Sequence, residues 1–276
     1  MAVTQGELKK IGAVQLQLMD EVHRLCQKHE ITYYMIAGTL LGAVRHGGFI
    51  PWDLDIDIAM PRGEYERFKA VCESEQDGRF FYLDYEKDRL HMRPHALFVA
   101  KNTRLHLKYD SANPKRKEKG IYLDIFPLDE PPAEKKLQKK QAKKLIRLRK
   151  LKEKRLFYAY SQNALRRYAH YAVAACLSWI SVRRLNAYQQ KVMQKYRGAK
   201  SGLLCSMASG YPYEKQCMPN EIYGKPVLLS FEGRQYFAPA KYKEYLERLY
   251  GDYMQLPPEE KRRANLEVYD SVEFLD

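Results

Sequence analysis

Asp53, Asp55 and Asp57 stand at alternate positions, with Leu54, Ile56 and Ile58 between and after them. In an extended strand successive side chains point to opposite faces, so this spacing lines three carboxylates along one face and sends three aliphatics into a core. Like charges a few ångströms apart repel and raise one another's pKa, a penalty that a bound divalent cation removes. Oxygen-only donors favour a hard ion such as Mg²⁺, with Mn²⁺ as a substitute, whose shell is completed by water and phosphate oxygens. The chemistry such a strand supports is attack on a phosphoanhydride. The alternative is a charged edge strand that blocks unwanted pairing. Three aliphatics that require a buried opposite face weigh against it.

An anion seat lies 14 residues upstream, where Gly38-Thr39 closes a β-prone stretch from Ile31 to Ala37 and Leu40, Leu41, Ala43 and Val44 open a helix. Backbone N–H groups and the positive end of a helix at such a turn attract a phosphate. A third element, Gly120 to Leu128, reads as a strand in which Tyr122, Asp124 and Phe126 share a face.

The run G-T-L-L-G-A-V-R-H-G-G-F-I-P-W-D-L-D-I-D from Gly38 to Asp57 resembles the signature of the LicD family, phosphotransferases that act with nucleotide-activated phosphocholine and related donors. The Gly-Thr turn followed by the acidic strand is also similar to the active site of the nucleotidyltransferase fold. Further support comes from Pro61-Arg62 with Tyr65 and Phe68, Lys101-Asn102-Thr103, and the stretch from Tyr122 to Asp129. Tyr250-Gly251-Asp252-Tyr253 and the stretch from Pro257 to Arg262 extend it, so the resemblance covers residues 5 to 130 and 205 to 262. Two positions depart from the family pattern: Leu54 replaces an acid, and Arg263-Ala264-Asn265 stand where histidines are usual.

The resemblance implies an α+β protein. Residues 1–130 would form a nucleotidyltransferase-like catalytic core with a mixed sheet flanked by helices, 131–202 a basic helical insertion, and 203–276 a C-terminal part packed on the core. It implies that Asp55 and Asp57 hold the metal and that Asp124 shares a second metal or takes the proton of an attacking hydroxyl. Asp53 ligates too or orients its loop. Gly38 and Thr39 would seat a phosphate that Arg45 and His46 contact, although His46 reads equally well as a hydrogen-bonded loop residue. Arg62, Lys101 and Arg262 complete the expected substrate-binding set. The implied reaction moves phosphocholine, or a related alcohol phosphate, from a CDP-linked donor to a hydroxyl of a lipid-linked glycan or teichoic-acid precursor, with release of CMP. Its rivals are nucleotidyl transfer from an NTP and a non-catalytic basic adaptor.

Composition bounds the elements that position these residues. With 276 residues and 45% hydrophobic content, the chain can bury a substantial core. Five cysteines without a C-x-x-C pair suggest neither a disulfide framework nor a zinc knuckle and point to a reducing cytosol. No secretory signal is read at the N-terminus, and no apolar run approaches the ~20 residues of a spanning helix. The net charge of +14 is concentrated: residues 135–200 hold 20 Lys or Arg against one acid, Glu153, while the remainder is net −5. Residues 135–155 carry 12 of those cations, with Leu137, Leu145, Leu148 and Leu151 interspersed and Leu156 just beyond. That pattern suits a helix lying on an anionic leaflet; with the lipid-linked acceptors that the resemblance implies at the cytoplasmic face, the expectation is a cytoplasmic protein peripheral to the inner face of the membrane. The alternative is a solvated helix. No nucleic-acid-binding pattern is present. Periodicity predicts helices over 5–29, 63–73 and 241–250, and strands over 79–85, 94–102, 227–231 and 235–238.

Overall fold

The computed structural model describes residues 3–75, 78–107, 120–156, 164–262 and 269–275. Helix α1, Gln5–Lys28, starts where the sequence places a capping box: the Glu7 amide donates to Thr4 Oγ1 at 3.2 Å, and the Thr4 amide to Glu7 Oε2 at 2.7 Å. Its apolar stripe, including Ile11, Leu18, Val22 and Leu25, is fully buried.

That stripe packs on a five-stranded mixed sheet. Strands β1 (Tyr34–Met35), β2 (Asp57–Pro61), β3 (Phe80–Leu83), β4 (Ala96–Ala100) and β6 (Tyr122–Leu128) lie in the order β1-β2-β6-β4-β3. Only β2 and β6 run parallel, in the register that sets Asp57 beside Asp124. The flanking helices are α2, Ala37–His46, and α3, Arg62–Ser74. A separate ribbon pairs β5, Thr103–Leu107, with β11, Tyr269–Phe274, and joins the C-terminal end of the chain to the body.

The acidic strand is shorter than its alternation predicts. β2 begins at Asp57, whereas Asp53 sits in a turn whose backbone bridges to Ile50. Residues 54–56 run into the strand from outside it, with one bond from the Asp124 amide to the Ile56 carbonyl. Ile56 and Ile58 are buried as the pattern requires, and Leu54 is only half-buried.

The basic stretch is helical throughout its longer described segments, as α4 (Lys135–Leu156), α5 (Ala164–Cys176) and α6 (Val182–Met193). One face of α4 is committed to the protein. Gln138, Gln141, Leu145, Leu148 and Lys152 recur at three- and four-residue spacing and face the protein, all of them buried. Gln141 Nε2 donates to the Val192 carbonyl at 2.7 Å and Lys152 Nζ to Asn186 Oδ1 at 2.7 Å, which fixes α4 on α6. Leu145, Leu148, Leu185 and Met193 belong to the same buried cluster as the sheet. The remaining cations of α4 are exposed except Arg155, which is half-buried.

Short elements complete the body: β7 (Leu203–Cys205) with β8 (Cys217–Pro219), α7 (Tyr213–Gln216), α8 (Asn220–Tyr223), the hairpin β9 (Val227–Phe231) and β10 (Arg234–Ala238), α9 (Tyr242–Tyr250) and α10 (Glu259–Arg262). Among the described residues no helix is long and apolar enough to cross a membrane.

Candidate active site

The parallel β2–β6 register places Asp57 and Asp124 directly across from one another, on strands ~4.8 Å apart. Asp124 is buried, and its Oδ1 accepts from Arg93 Nη1 at 2.5 Å and His95 Nε2 at 2.8 Å. Burial pushes its carboxyl up, but Arg93 and His95 outweigh that effect and hold it below the usual carboxylate range. Asp57 lacks that balance: burial and repulsion from Asp124, Asp55 and Asp53 push it well above its ordinary value. Asp55 reaches solvent at the mouth of a crowded cleft, where enclosure and then Asp124 raise it, opposed by Arg93 and by the Tyr269 hydroxyl donating to Oδ1 at 3.0 Å. The site therefore carries more negative charge than the protein alone neutralises.

The turn between β1 and α2 supports these carboxylates from below. Ala37 adopts φ +46°, a left-handed conformation that L-residues rarely take, and its amide reaches the Tyr245 hydroxyl at 3.4 Å. Gly38 follows, and a Cβ there would lie 2.7 Å from Asp53 Oδ2, so the glycine admits the carboxylate beside the start of α2. Thr39, expected to seat a phosphate, is 2% exposed; its hydroxyl donates to the Asp55 carbonyl at 3.3 Å and accepts from the Asp57 amide at 2.8 Å. It clasps the acidic segment to α2 instead of facing a ligand.

A cavity of about 550 Å³ opens beside Asp53 and is lined by Gly38, Arg45, Trp52, Tyr211, Asp252 and Arg262, among others. Arg45 Nη1 donates to the Tyr253 carbonyl at 2.8 Å, and the Arg262 guanidinium lies over the Trp52 ring at 5.4 Å. Burial lowers the pKa of Arg45 and repulsion from Arg262 adds to it. Two converging guanidiniums form the mirror image of the carboxylates, and an anion between them relieves their repulsion.

Comparison with known proteins decides the family. Residues 30–157 match the family model described as LicD/FKTN/FKRP, nucleotidyltransferase domain. The lipopolysaccharide cholinephosphotransferase LicD of Haemophilus influenzae is 31% identical over 263 residues, which cover 94% of this chain and 95% of that protein. This chain belongs to the LicD family. A shorter likeness, 33% over 78 residues, links it to the human ribitol 5-phosphate transferase FKRP, covering 22% of this chain and 16% of that one. An uncharacterised protein of Rickettsia prowazekii, RP689, is 37% identical over 117 residues, 42% of this chain and 39% of its own.

Within this LicD-family chain, several expected site residues lie elsewhere. Arg62 is buried and pairs bidentately with Asp129, Nε to Oδ1 at 2.8 Å and Nη2 to Oδ2 at 2.6 Å, so it bolts α3 to the end of β6. Lys101 stands exposed in the turn after β4, four residues beyond the Leu97 position that pairs with Asp124, or ~13 Å along the strand. His46 is exposed and packs edge-on to Trp52, with ring centroids 5.9 Å apart. Arg45, Asp53 and Arg262 do converge with Gly38 on one cavity. The departure at Leu54 leaves the carboxylate face intact, whereas Arg263-Ala264-Asn265 lie outside the described residues.

Three partners of the carboxylates escaped the sequence reading. Arg93 and His95 flank Pro94 just before β4, and their signal was the basic run His91-Met92-Arg93-Pro94-His95 feeding a strand. Tyr269 was hidden because the ladder shifts register between Tyr269 and Ser271, which breaks the two-residue alternation of β11.

Among the described residues no three His, Cys, Asp or Glu side chains are gathered closely enough to hold a metal ion unaided. The donor set still has the chemistry of Mg²⁺, which is commonly held by one or two carboxylates together with substrate phosphates. Asp55 and Asp57 supply hard oxygens whose mutual repulsion a cation relieves. Asp124, expected as a third ligand, is already engaged by Arg93 and His95.

Proposed function

We propose that this protein transfers phosphocholine, or a closely related alcohol phosphate, from a CDP-linked donor to a hydroxyl of a cell-surface glycan precursor. Its relatives are named for cholinephosphate and ribitol 5-phosphate transfer. The observation that carries the reading is the pairing of Asp57 with Asp124, together with a cavity in which Asp53 of the same acidic segment meets two guanidiniums. It is also what a nucleotidyltransferase-like core requires.

Phosphoryl transfer asks a protein for positioning and charge neutralisation more than for covalent chemistry. Arg45 and Arg262 hold the donor diphosphate in their cavity, and Trp52 gives it an aromatic wall. Asp55 and Asp57 would hold Mg²⁺, which when bound neutralises phosphate charge. Asp124, kept ionised by Arg93 and His95, would take the proton of the acceptor hydroxyl. The acceptor oxygen then bonds to the phosphorus that carries choline, the bond from that phosphorus to the bridging oxygen breaks, and CMP leaves with the electron pair. Thr39 and Tyr269 keep the carboxylates in register during the step. The acceptor is lipid-linked, presented at the cytoplasmic face of an anionic membrane that the outward cations of α4 approach.

Incubation with CDP-choline, Mg²⁺ and extracted glycan precursor should release CMP and add phosphocholine to the glycan. Asp57→Asn should lower turnover by about a hundred- to a thousandfold, the scale set by losing one preorganised charge contact in a buried site, with its melting temperature retained. Pyrophosphate release from CTP in place of CMP release from CDP-choline overturns the reading in favour of nucleotidyl transfer.

A further inference from the structure

Residues 91–95 join β3 to β4 and carry both partners of Asp124, Arg93 and His95. The segment has no regular structure of its own, and Pro94 brings no amide to it. A cavity of about 560 Å³ opens against Met92, Arg93 and Pro94, so packing on that side is incomplete. Yet Arg93 reaches Asp124 Oδ1 from Nη1 and the Tyr122 hydroxyl from Nη2, while His95 Nε2 meets the same Asp124 oxygen. Hydrogen bonds weaken steeply as their angles close, and a constellation of this kind works only if its support is fixed to within ~0.5 Å.

That support comes from the inserted helices. Asn186 Nδ2 of α6 donates to the His91 carbonyl at 2.5 Å, Lys152 Nζ of α4 to the Met92 carbonyl at 2.8 Å, and Gln190 Nε2 of α6 to the Pro94 carbonyl at 2.7 Å. The His91 ring closes the segment on itself, its Nε2 donating to the His95 carbonyl at 2.8 Å. Side chains thus hold the carbonyls of His91, Met92, Pro94 and His95, and the Lys152 bond to Asn186 Oδ1 joins two of these donors into one network. Lys152, Asn186 and Gln190 are all buried. Burial pulls the Lys152 ammonium down to about 8, opposed by Glu153. Fastening two helices does not require a buried ammonium, since apolar side chains of similar volume serve as well. What the ammonium adds is a directed bond to one chosen carbonyl.

We infer that Lys152, Asn186 and Gln190 are positioning residues for the transfer step, holding residues 91–95 so that Arg93 and His95 grip Asp124. The inference rests on the proposed transferase reading, in which Asp124 takes the acceptor proton. The insertion thereby acquires a role apart from any membrane: its inner face sets the geometry around Asp124.

Lys152→Met and Gln190→Met remove the donors and nearly keep each side chain's volume, so both should fold and melt cooperatively. With CDP-choline and glycan precursor each should lower kcat about ten- to a hundredfold, the scale of displacing a reacting group by ~1 Å, while the KM for CDP-choline stays within twofold. Independently of turnover, the His95 Nε2 proton, shared with the Asp124 carboxylate and sheltered from water, should give a far-downfield proton resonance, assigned by its absence from His95→Gln. That resonance should be lost to exchange with water in both methionine variants. Should Lys152→Met fail to fold, Gln190→Met decides alone, since it deletes a single bond. A resonance that is missing from the wild type or survives in a folded methionine variant overturns the inference. A lost resonance with unchanged kcat also overturns it, as does a KM for CDP-choline that rises as far as kcat falls. A resonance lost on substitution, in a protein that releases no CMP from CDP-choline, upholds the grip on Asp124 and overturns the phosphocholine reading.

Discussion

Arg62 shows what a residue's type does and does not disclose. An arginine beside an acidic strand reads as a substrate contact, yet burial and a bidentate Asp129 partner make it a structural bolt. Burial pulls the guanidinium pKa down, but Asp129 outweighs it and the group stays charged. Removing one partner strands a buried charge, so Arg62→Ala should lose ~3–5 kcal/mol of stability in urea titrations. Arg62→Met with Asp129→Leu should recover most of that loss, and folded Arg62→Ala should keep its kcat/KM for CDP-choline. A selective rise in donor KM without a stability loss would return Arg62 to the substrate-binding set. The aspartates were legible because three alternating acids are costly to place anywhere except beside a cation. Arg93 and His95 were not, because their relation to Asp124 arises only when β4 pairs with β6.

At the scale of elements, strong periodicity and punctuation survived folding. The apolar spacing of residues 5 to 29 holds as α1, Pro61 ends β2, and the turn at Gly38 opens α2 within one residue. What was lost depended on partners distant in sequence: β2 is trimmed by the Ile50–Asp53 turn, and β5 with β11 form a ribbon across the whole chain. The α1 contact with β10 carries a pH dependence of the same tertiary kind. His23 Nδ1 lies 2.7 Å from the Tyr33 hydroxyl, which also accepts from the Phe237 amide, and its ring meets Tyr236 and Phe237 edge-on. Burial lowers its pKa, opposed by Asp20, which is itself bound by the Tyr236 hydroxyl and near Arg234. The unfolded chain therefore takes up a proton near pH 6.5 while the folded one does not, so stability falls as pH drops through that value towards the folded pKa. The slope is at most ~1.4 kcal/mol per pH unit. His23→Gln should flatten the fall in melting temperature between pH 7 and 5 relative to the wild type; parallel curves would show that His23 does not titrate differently on folding.

The whole molecule divides its charge, and the division has a direction. The buried face of α4 is occupied by Gln138, Gln141, Leu145, Leu148 and Lys152, which leaves Lys140, Lys143, Arg147, Lys150 and Lys154 as an exposed stripe on the opposite side. Close by in sequence, α5 and the turn after it expose Leu165, Tyr168 and Trp179, 83%, 68% and 81% accessible. Cations that attract phosphate head groups and aromatics that settle at the interface are the two components of a peripheral membrane contact. The expected adhesion is therefore split between two helices, with charge from α4 and insertion from α5. Each cation near an anionic surface contributes ~1 kcal/mol at low salt, and this contribution fades once the Debye length shrinks below ~10 Å. The protein should sediment with phosphatidylglycerol vesicles in low salt, release as salt rises, and ignore phosphatidylcholine vesicles. Reversing Lys143, Arg147, Lys150 and Lys154 to Glu should abolish binding, whereas Trp179→Ser should weaken it while leaving its salt dependence intact. Loss of vesicle binding in the reversed variant should then lower transfer to lipid-linked glycan and spare transfer to the same glycan freed of its lipid. Equal loss on both acceptors would show that the charges serve the site and not the membrane.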